Sequence, residues 1–370
     1  MIKRLGDICE FVGGGTPSKK NPEFYGGSIP WATVRDMNVR VIESTEHSIT
    51  PDAVQQSATN IIPKGEVVIS THVGLGKVCF LGQNTAINQD LKAVIPRKGL
   101  SRRYLYYWFV SKADELIANG KGATVKGVTL DFVKNLRIPV LPVREQERVS
   151  DALDKLTHII ELSDSQIDRL DSVVKSRFVE MFGDIEDFKT LTEFGTIATG
   201  ATPPMKNPVY YENNDVCFFK PSDLSNEVKR LHKSEYWVDR RSLDVARPFG
   251  RGTVLVSCIG SVGKIGIADV PGICNQQINF IEPNRDVVPV YLAYAILARK
   301  QVLIDMANAP VVPIVNKSQF SKMTIVDAPL ALQRKFAAFV EKVDKLAFAA
   351  RRRRDVAKQL YRAKIQEYFG

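Results

Sequence analysis

Gly76-Lys77-Val78-Cys79-Phe80-Leu81-Gly82-Gln83-Asn84-Thr85-Ala86-Ile87-Asn88-Gln89 returns 187 residues later as Gly263-Lys264-Ile265-Gly266-Ile267-Ala268-Asp269-Val270-Pro271-Gly272-Ile273-Cys274-Asn275-Gln276. The two ends hold while the middle drifts. Outward from this stretch, the same offset carries Pro96 to Pro283, Tyr104-Leu105 to Tyr291-Leu292, Gln146 to Gln333 and Phe182-Gly183 to Phe369-Gly370. Nearer the start the offset is 186: Thr16-Pro17, Asn21-Pro22 and Tyr25 match Thr202-Pro203, Asn207-Pro208 and Tyr211. One residue inserted between Tyr211 and Asp223 accounts for the change. Solenoid units run about 20–50 residues. A period this long predicts two domains of one fold.

The chain has 370 residues, enough for two or three domains that each bury a core. It is 44% hydrophobic and 25% charged, ordinary for a globular protein. No apolar run reaches the roughly 18 residues of a membrane span, and Met1–Asp7 lacks the apolar core of a signal peptide. A cytoplasmic protein is expected. Cys9, Cys79, Cys217, Cys258 and Cys274 form an odd, scattered set without a C-x-x-C pair, and there are four histidines. The expectation is buried free thiols and no metal site. Net charge is +10 with a pI near 9.3, which favours a polyanionic partner, nucleic acid or an anionic membrane.

Each copy has three parts. The first, about 1–100 and 187–287, alternates β-rich runs such as Val67-Val68-Ile69-Ser70 with glycine turns, and reads as a small mixed sheet. The second is a helix near 101–118 and 289–307. The third is a long helix, about 143–182 and 330–369. In the first copy Val149, Leu153, Leu156, Ile160, Ile167, Leu170, Val174 and Met181 keep a 3-4 heptad spacing, with Ser163 and Arg177 in the polar slots. The second copy gives Phe336, Phe339, Val340, Val343, Leu346, Ala350, Val356 and Leu360. Segment 141–183 carries 6 Lys/Arg against 9 Asp/Glu, and segment 328–370 carries 11 against 4. Opposite charge beside apolar seams favours pairing of the two helices as an antiparallel coiled coil. The alternative is two helices packed separately, each on its own domain. The expected fold is α+β, with segments 1–140 and 184–327 as similar mixed α/β domains and 141–183 and 328–370 as spacer helices.

No catalytic set emerges. Asn21-Pro22-Glu23-Phe24 and Asn207-Pro208-Val209-Tyr210 approach the N-P-P-[YF] motif of amino-methyltransferases but lack its second proline. Phe11-Val12-Gly13-Gly14-Gly15 is the nearest thing to a cofactor loop, and its counterpart Ile197-Ala198-Thr199-Gly200-Ala201 keeps one glycine, as a turn would. Gly74-Leu75-Gly76-Lys77 and Gly260-Ser261-Val262-Gly263-Lys264 miss the phosphate-loop spacing and its hydroxyl. A hairpin turn carrying one lysine fits better. Asp36 and Asp223 match, without a partner for acid–base work, which favours turn capping.

With these residues in view, the chain resembles the specificity subunit of type I restriction-modification systems. The resemblance rests on Leu5-Gly6-Asp7-Ile8, Gly15-Thr16-Pro17-Ser18, Tyr25-Gly26-Gly27-Ser28-Ile29-Pro30-Trp31, Gly122-Ala123-Thr124-Val125-Lys126-Gly127-Val128 and Glu145-Gln146. The second half departs from it at Ala201-Thr202-Pro203-Pro204, Cys217-Phe218 and Leu332-Gln333. The resemblance implies two target-recognition domains on a paired-helix spacer, reading a split, asymmetric double-stranded DNA site without catalysis. It implies two methyltransferase subunits as partners, using S-adenosylmethionine, and through them restriction-translocase subunits, using ATP and Mg. None of these cofactors is expected on this chain. The rival readings are a DNA adenine methyltransferase with divergent motifs and a stand-alone bivalent DNA-binding protein.

Residues identical in both copies cannot by themselves tell two half-sites apart. Lys77 and Lys264, Asn88 and Asn275, and Gln89 and Gln276 are therefore assigned to scaffold or phosphate contact. Polar positions that differ are assigned to base edges: Thr71 and His72, Asp90 against Gln277, Lys92 against Asn279, and Thr124 and Lys126. The remaining DNA-facing candidates are Thr16, Lys19, Lys20, Arg35 and Lys121 in the first copy, and Lys206, Lys220, Ser222, Ser261, Asn316 and Lys317 in the second.

Overall fold

The computed structural model describes residues 1–122, 126–307 and 312–370. The chain divides into two compact units. The first holds Met1–Leu162 with Arg353–Gly370, and the second holds Ser163–Arg352. Each unit therefore takes half of each long helix.

The first unit contains a five-stranded sheet in the order Cys9–Gly13, Leu91–Pro96, Val67–Ser70, Val78–Leu81, Val41–Ile42. The second unit repeats that order with Gly195–Thr199, Ile278–Pro283, Val254–Ser257, Ile265–Ala268 and Lys229–Leu231. In both, only the last pair is parallel. A second mixed sheet accompanies each: His47–Ile49, Tyr25–Ala32, Thr85–Ile87 and Ile61–Ile62 in the first, and Tyr236–Val238, Val216–Phe219 and Gly272–Cys274 in the second. The central strands are buried along their whole length, as the run Val67-Val68-Ile69-Ser70 requires.

The long helices run Val143–Phe182 and Leu330–Phe369. Their starts are tied down by the matched glutamines. Gln146, fully buried, accepts from the Ser101 N–H (2.8 Å) and donates to the Leu141 carbonyl (2.8 Å). Gln333 accepts from Val288 N–H (2.9 Å) and donates to Ala328 (2.8 Å). An unpaired buried amide costs about 1–3 kcal/mol, which is why the glutamine stays while its neighbours change. In the first unit Val149 and Leu153 share a core with Trp108 and Phe369. In the second, Phe178 and Phe182 meet the Phe336 ring at 5.4 and 5.5 Å. The start of one helix thus meets the end of the other, and the pair is antiparallel.

The first heptad stripe is inward as expected: Val149, Leu153, Ser163 and Val174 are buried and the other positions half-buried. The second stripe needs correction. Leu346, Val356 and Leu360 are about half exposed, while Ala347, Ala350, Ala357 and the half-buried Tyr361 face inward. Followed by spacing alone, Phe336, Val340, Val343, Ala347, Ala350, Ala357 and Tyr361 fit the 3-4 rule. The expectation followed side-chain bulk, whereas a seam of alanines lets two helix backbones approach closely. All five cysteines are free and buried, and burial pushes the thiols of Cys9, Cys79 and Cys258 up to about 12.

Candidate nucleic-acid interface

The matched motifs fold into the same turn in both units. Gly76 and Gly263 take φ of +85° and +84°, which glycine adopts without strain. The next segment, Asn88-Gln89-Asp90 or Asn275-Gln276-Gln277, passes under the glycine that directly follows strand Cys9–Gly13 or Gly195–Thr199. A Cβ on Gly14 would lie 2.1 Å from the Asn88 carbonyl oxygen, and one on Gly200 would lie 2.3 Å from that of Asn275. That close approach accounts for the single glycine kept by both copies. Thr16 and Thr202 donate their hydroxyls to the side-chain oxygens of Gln89 and Gln276.

The matched aspartates pin a second loop beside this turn. Asp36 accepts from Thr33 N–H (2.7 Å) and Glu46 N–H (2.9 Å). Asp223 accepts from Lys220 N–H and Glu235 N–H, both at 2.8 Å. Their role is turn capping, with both carboxyl oxygens engaged. The Asn-Pro motifs open short 3-10 turns, Pro22–Phe24 and Pro208–Tyr211. Phe24 is buried with Trp31 and Ile49 and cannot stack on a base, unlike the aromatic of a methyltransferase motif.

In the first unit the turn and the pinned loop border a cleft of about 630 Å³, lined by Lys19, Arg35, Asn88, Asp90, Trp31 and His47 among others. Sequence reasoning named the first four as DNA-facing and missed His47. Its signal was register, since His47 pairs with Trp31 across the sheet. In the second unit the equivalent pair is Phe218 and Tyr236, and Lys220 Nζ lies 3.2 Å from the Tyr236 ring centroid, covering it.

Other candidates gather around the same turn. Thr71 is buried and donates to the Asp90 carbonyl (3.2 Å). His72 is exposed, its Nδ1 3.9 Å from the Asp90 carboxylate. Lys92 donates to the Gln89 carbonyl (2.7 Å), and burial lowers its pKa against the pull of Asp90. Lys121 and Lys126 are exposed on a segment whose Gly127 packs against His72. Thr124 lies outside the described residues. Lys20 and Lys206 are exposed in the loops after Thr16 and Thr202. Ser222 donates to Glu235 (3.2 Å), and the Ser261 carbonyl accepts from Ser257.

Thr71, assigned to a base edge, is 1% exposed and bonded inward, and three further placements depart from the expectation. Asn279 is 2% exposed, its side-chain oxygen accepting from Thr199 (2.8 Å), so it belongs to the core of the second unit. Its difference from Lys92 marked it as a base reader, but the strand buries it. Asn316 caps the helix Lys317–Lys322 through Gln319 N–H (2.9 Å), which leaves Lys317 exposed in its first turn. Lys77 and Lys264 are not equivalent. Lys77 Nζ donates to Asn38 (2.7 Å), whereas in the second unit Lys300 bonds Asn226 (2.8 Å), in the loop after Asp223. No hydrogen bond to Lys264 Nζ occurs among the described residues. No helix among them is long and apolar enough to cross a membrane.

A family model described as the type I restriction modification DNA specificity domain matches residues 1–171 and 184–357. A specificity subunit of the Escherichia coli restriction enzyme EcoR124I/EcoR124II is 36% identical over 160 residues, 41% of this chain and 40% of that protein. The MjaIX specificity subunit of Methanocaldococcus jannaschii is 28% identical over 256 residues, 61% of this chain and 58% of the relative. The chain thus spans about half the length of these relatives. Among solved structures, the S subunit from M. genitalium covers 100% of this chain and 96% of its own, with a TM-score of 0.64 at 14% identity. A chain from a structure on assembly and conformational transition of a type I R-M system gives 0.60 at 18% identity, covering 100% of this chain and 97% of its own. These two likenesses show the fold.

Proposed function

From the premise that the chain belongs to the type I restriction-modification DNA specificity family, we propose that it reads a bipartite, asymmetric double-stranded DNA site, one half-site per unit. In this reading it is a non-catalytic cytoplasmic subunit that holds two methyltransferase subunits and, through them, restriction-translocase subunits. S-adenosylmethionine, ATP and Mg belong to those partners. The observation that carries the reading is the duplicated turn. Asn-Gln is kept, glycine-clamped and threonine-tied in both units, and the next residue is Asp90 in one and Gln277 in the other. A constant scaffold with a variable polar tip is what two different half-sites demand. The net charge of +10 supplies the sequence-independent attraction to phosphate.

The test is to co-express the chain with the methyltransferase subunit of its own genome and methylate a DNA library of random sequence. The expected motif is two unlike short half-sites separated by a fixed unread gap, and native mass spectrometry is expected to give one copy of this chain to two methyltransferases. A contiguous or palindromic motif, or methylation without sequence preference, would overturn the reading.

A further inference from the structure

We propose that Asp90 and Gln277 read opposite hydrogen-bond polarity in the two half-sites, each held in that polarity by the asparagine two residues before it. The inference rests on the DNA-reading role above. Asn88 and Asn275 are 7% and 8% exposed, so their amides must find partners inside the turn. The Oδ1 of Asn88 accepts from the Asp90 N–H, and that of Asn275 from the Gln277 N–H, both at 3.2 Å. An amide whose oxygen is committed to a backbone donor must turn its NH2 the other way, which settles its orientation. That NH2 meets the next side chain but one. Asn88 donates to Asp90 Oδ2 at 3.2 Å, and Asn275 donates to Gln277 Oε1 at 2.8 Å.

The consequence differs because the recipients differ. The Asp90 carboxylate has a second oxygen, and it can only accept. Gln277 has one oxygen, which the Asn275 NH2 holds on its own side. Its remaining end is NH2, and it can only donate. Reversing the Gln277 amide would set two NH2 groups against each other. One identical asparagine therefore leaves an acceptor pointing out of the first turn and a donor pointing out of the second. Asp90 and Gln277 are both partly accessible, and Asp90 lines the cleft.

In the major groove, cytosine N4 and adenine N6 donate, whereas guanine O6 and N7, thymine O4 and adenine N7 accept, so cytosine alone offers no acceptor. Asp90 is thus assigned to an amino base, cytosine or adenine, in the half-site of the first unit. Gln277 is assigned to an acceptor edge, on guanine, thymine or adenine N7 and not on cytosine, in the half-site of the second. Asn88 and Asn275 are positioning residues, since they act through the reader.

The assembled complex with its methyltransferase subunits tests this on a random duplex library, read by selection for binding and by methylation. Gln277→Glu puts an oxygen where the NH2 was. It is expected to favour cytosine over guanine and thymine at one base of the second unit's half-site by about tenfold or more, reversing the wild-type order, with the other half-site unchanged. Asp90→Asn is expected to do the reverse in the first unit's half-site. Asn275→Ala frees Gln277 to present either end, and preference at that same base is expected to flatten rather than switch. If Gln277→Glu leaves the motif unchanged, or moves a base in the other half-site, the assignment is overturned. If that variant binds no DNA, Gln277→Ala decides: preference lost at one base supports the assignment, and preference kept everywhere overturns it. A wild-type complex without a bipartite motif would sink the functional reading itself. A bipartite motif insensitive to Gln277→Glu would remove only the polarity assignment.

Discussion

Where its sheet meets the long helix Val143–Phe182, the first unit stacks a cation on three rings beside a cavity of about 590 Å³ that Phe80 and Arg103 also line, while the second sets the equivalent residues on the walls of a larger cavity. In the first, Arg40 lies with its guanidinium carbon 5.4 Å from the Tyr106 ring, 5.5 Å from Tyr107 and 6.0 Å from Phe80. Asp154 takes bonds from Arg40, Arg103 and the Tyr107 hydroxyl. Strand register makes Phe80 equivalent to Ile267 and Arg40 to Lys229. The 187-residue offset makes Tyr106 equivalent to Ala293, Arg103 to Val290 and Asp154 to Glu341. Lys229, Ile267, Val290 and Glu341 line a cavity of about 760 Å³. The scaffold tolerates either solution because the sheet order and the glutamine tether do not depend on it. Duplication preserved the frame and left the filling of the space beside it to diverge.

The comparison breaks most visibly if Asp154 and Glu341 behave alike. Asp154→Ala strips Arg40 of its carboxylate, and Arg40 Nε already has no hydrogen-bond partner. A fully buried pair broken this way costs about 3–5 kcal/mol, and partial exposure here brings the expectation to about 2 kcal/mol. Urea melts followed by Trp108 fluorescence are expected to show it. Glu341→Ala, at an exposed end of an i,i+4 pair with Lys345, is expected to leave the melt unchanged. Next in size, Ile267→Phe restores the ring of Phe80 to the cavity and is expected to raise stability by about 1 kcal/mol, the usual return of cavity filling. A loss of similar size would show that the cavity walls are rigid.

Acid separates the two units by sign. Burial alone would raise the Asp154 pKa, but bonds from Tyr107 and Arg40 outweigh it and hold the carboxyl below its usual range. That contribution is present above the unfolded pKa of about 3.9 and is lost as pH falls through the folded value. Beside the cavity, burial raises Asp344 despite Arg230 and Arg351. Its folded form holds the proton more tightly, so stability is gained as pH falls through that raised value. Hydrogen exchange near pH 4 and below is expected to report the first unit opening before the second. The opposite order would mean that other carboxylates dominate.

Much of this was legible in the sequence where repetition did the work. The two long helices, the shared sheet and the turns at Gly76 and Gly263 follow from residues that recur at one offset. The rest was not, for physical reasons. Ala347 and Ala357 carry no bulk to advertise a seam. Asn279 is polar yet buried, and only its neighbour Thr199 says so. His47 reaches the cleft through strand pairing, which the order of residues along the chain does not display. Arg40, Tyr106 and Asp154 are far apart in sequence and differ between copies, so a search for matches passes over them.

The smallest expected effect sharpens the comparison at the hairpin lysines, which the repeat presents as equal. Lys77 is held by Asn38 and by the Val34 carbonyl at 3.4 Å. In the second unit Lys300 bonds Asn226 in the loop after Asp223, and burial lowers the Lys300 pKa, with the charges of Lys175 and Lys264 adding to it. Lys264 is thus a cation beside other cations, and repulsion favours its turning to an external anion. A phosphate contact there releases one condensed counterion, about 0.9 in the slope of log K against log salt. Lys264→Ala is expected to flatten the slope by about that amount while leaving base preference intact. Lys77→Ala is expected to change the slope by less than half as much, because its amine serves Asn38 first. Titrating labelled target duplex at several salt concentrations measures both. Equal slopes for the two variants would mean that Lys77 leaves Asn38 on binding DNA and that the two hairpins act as one design.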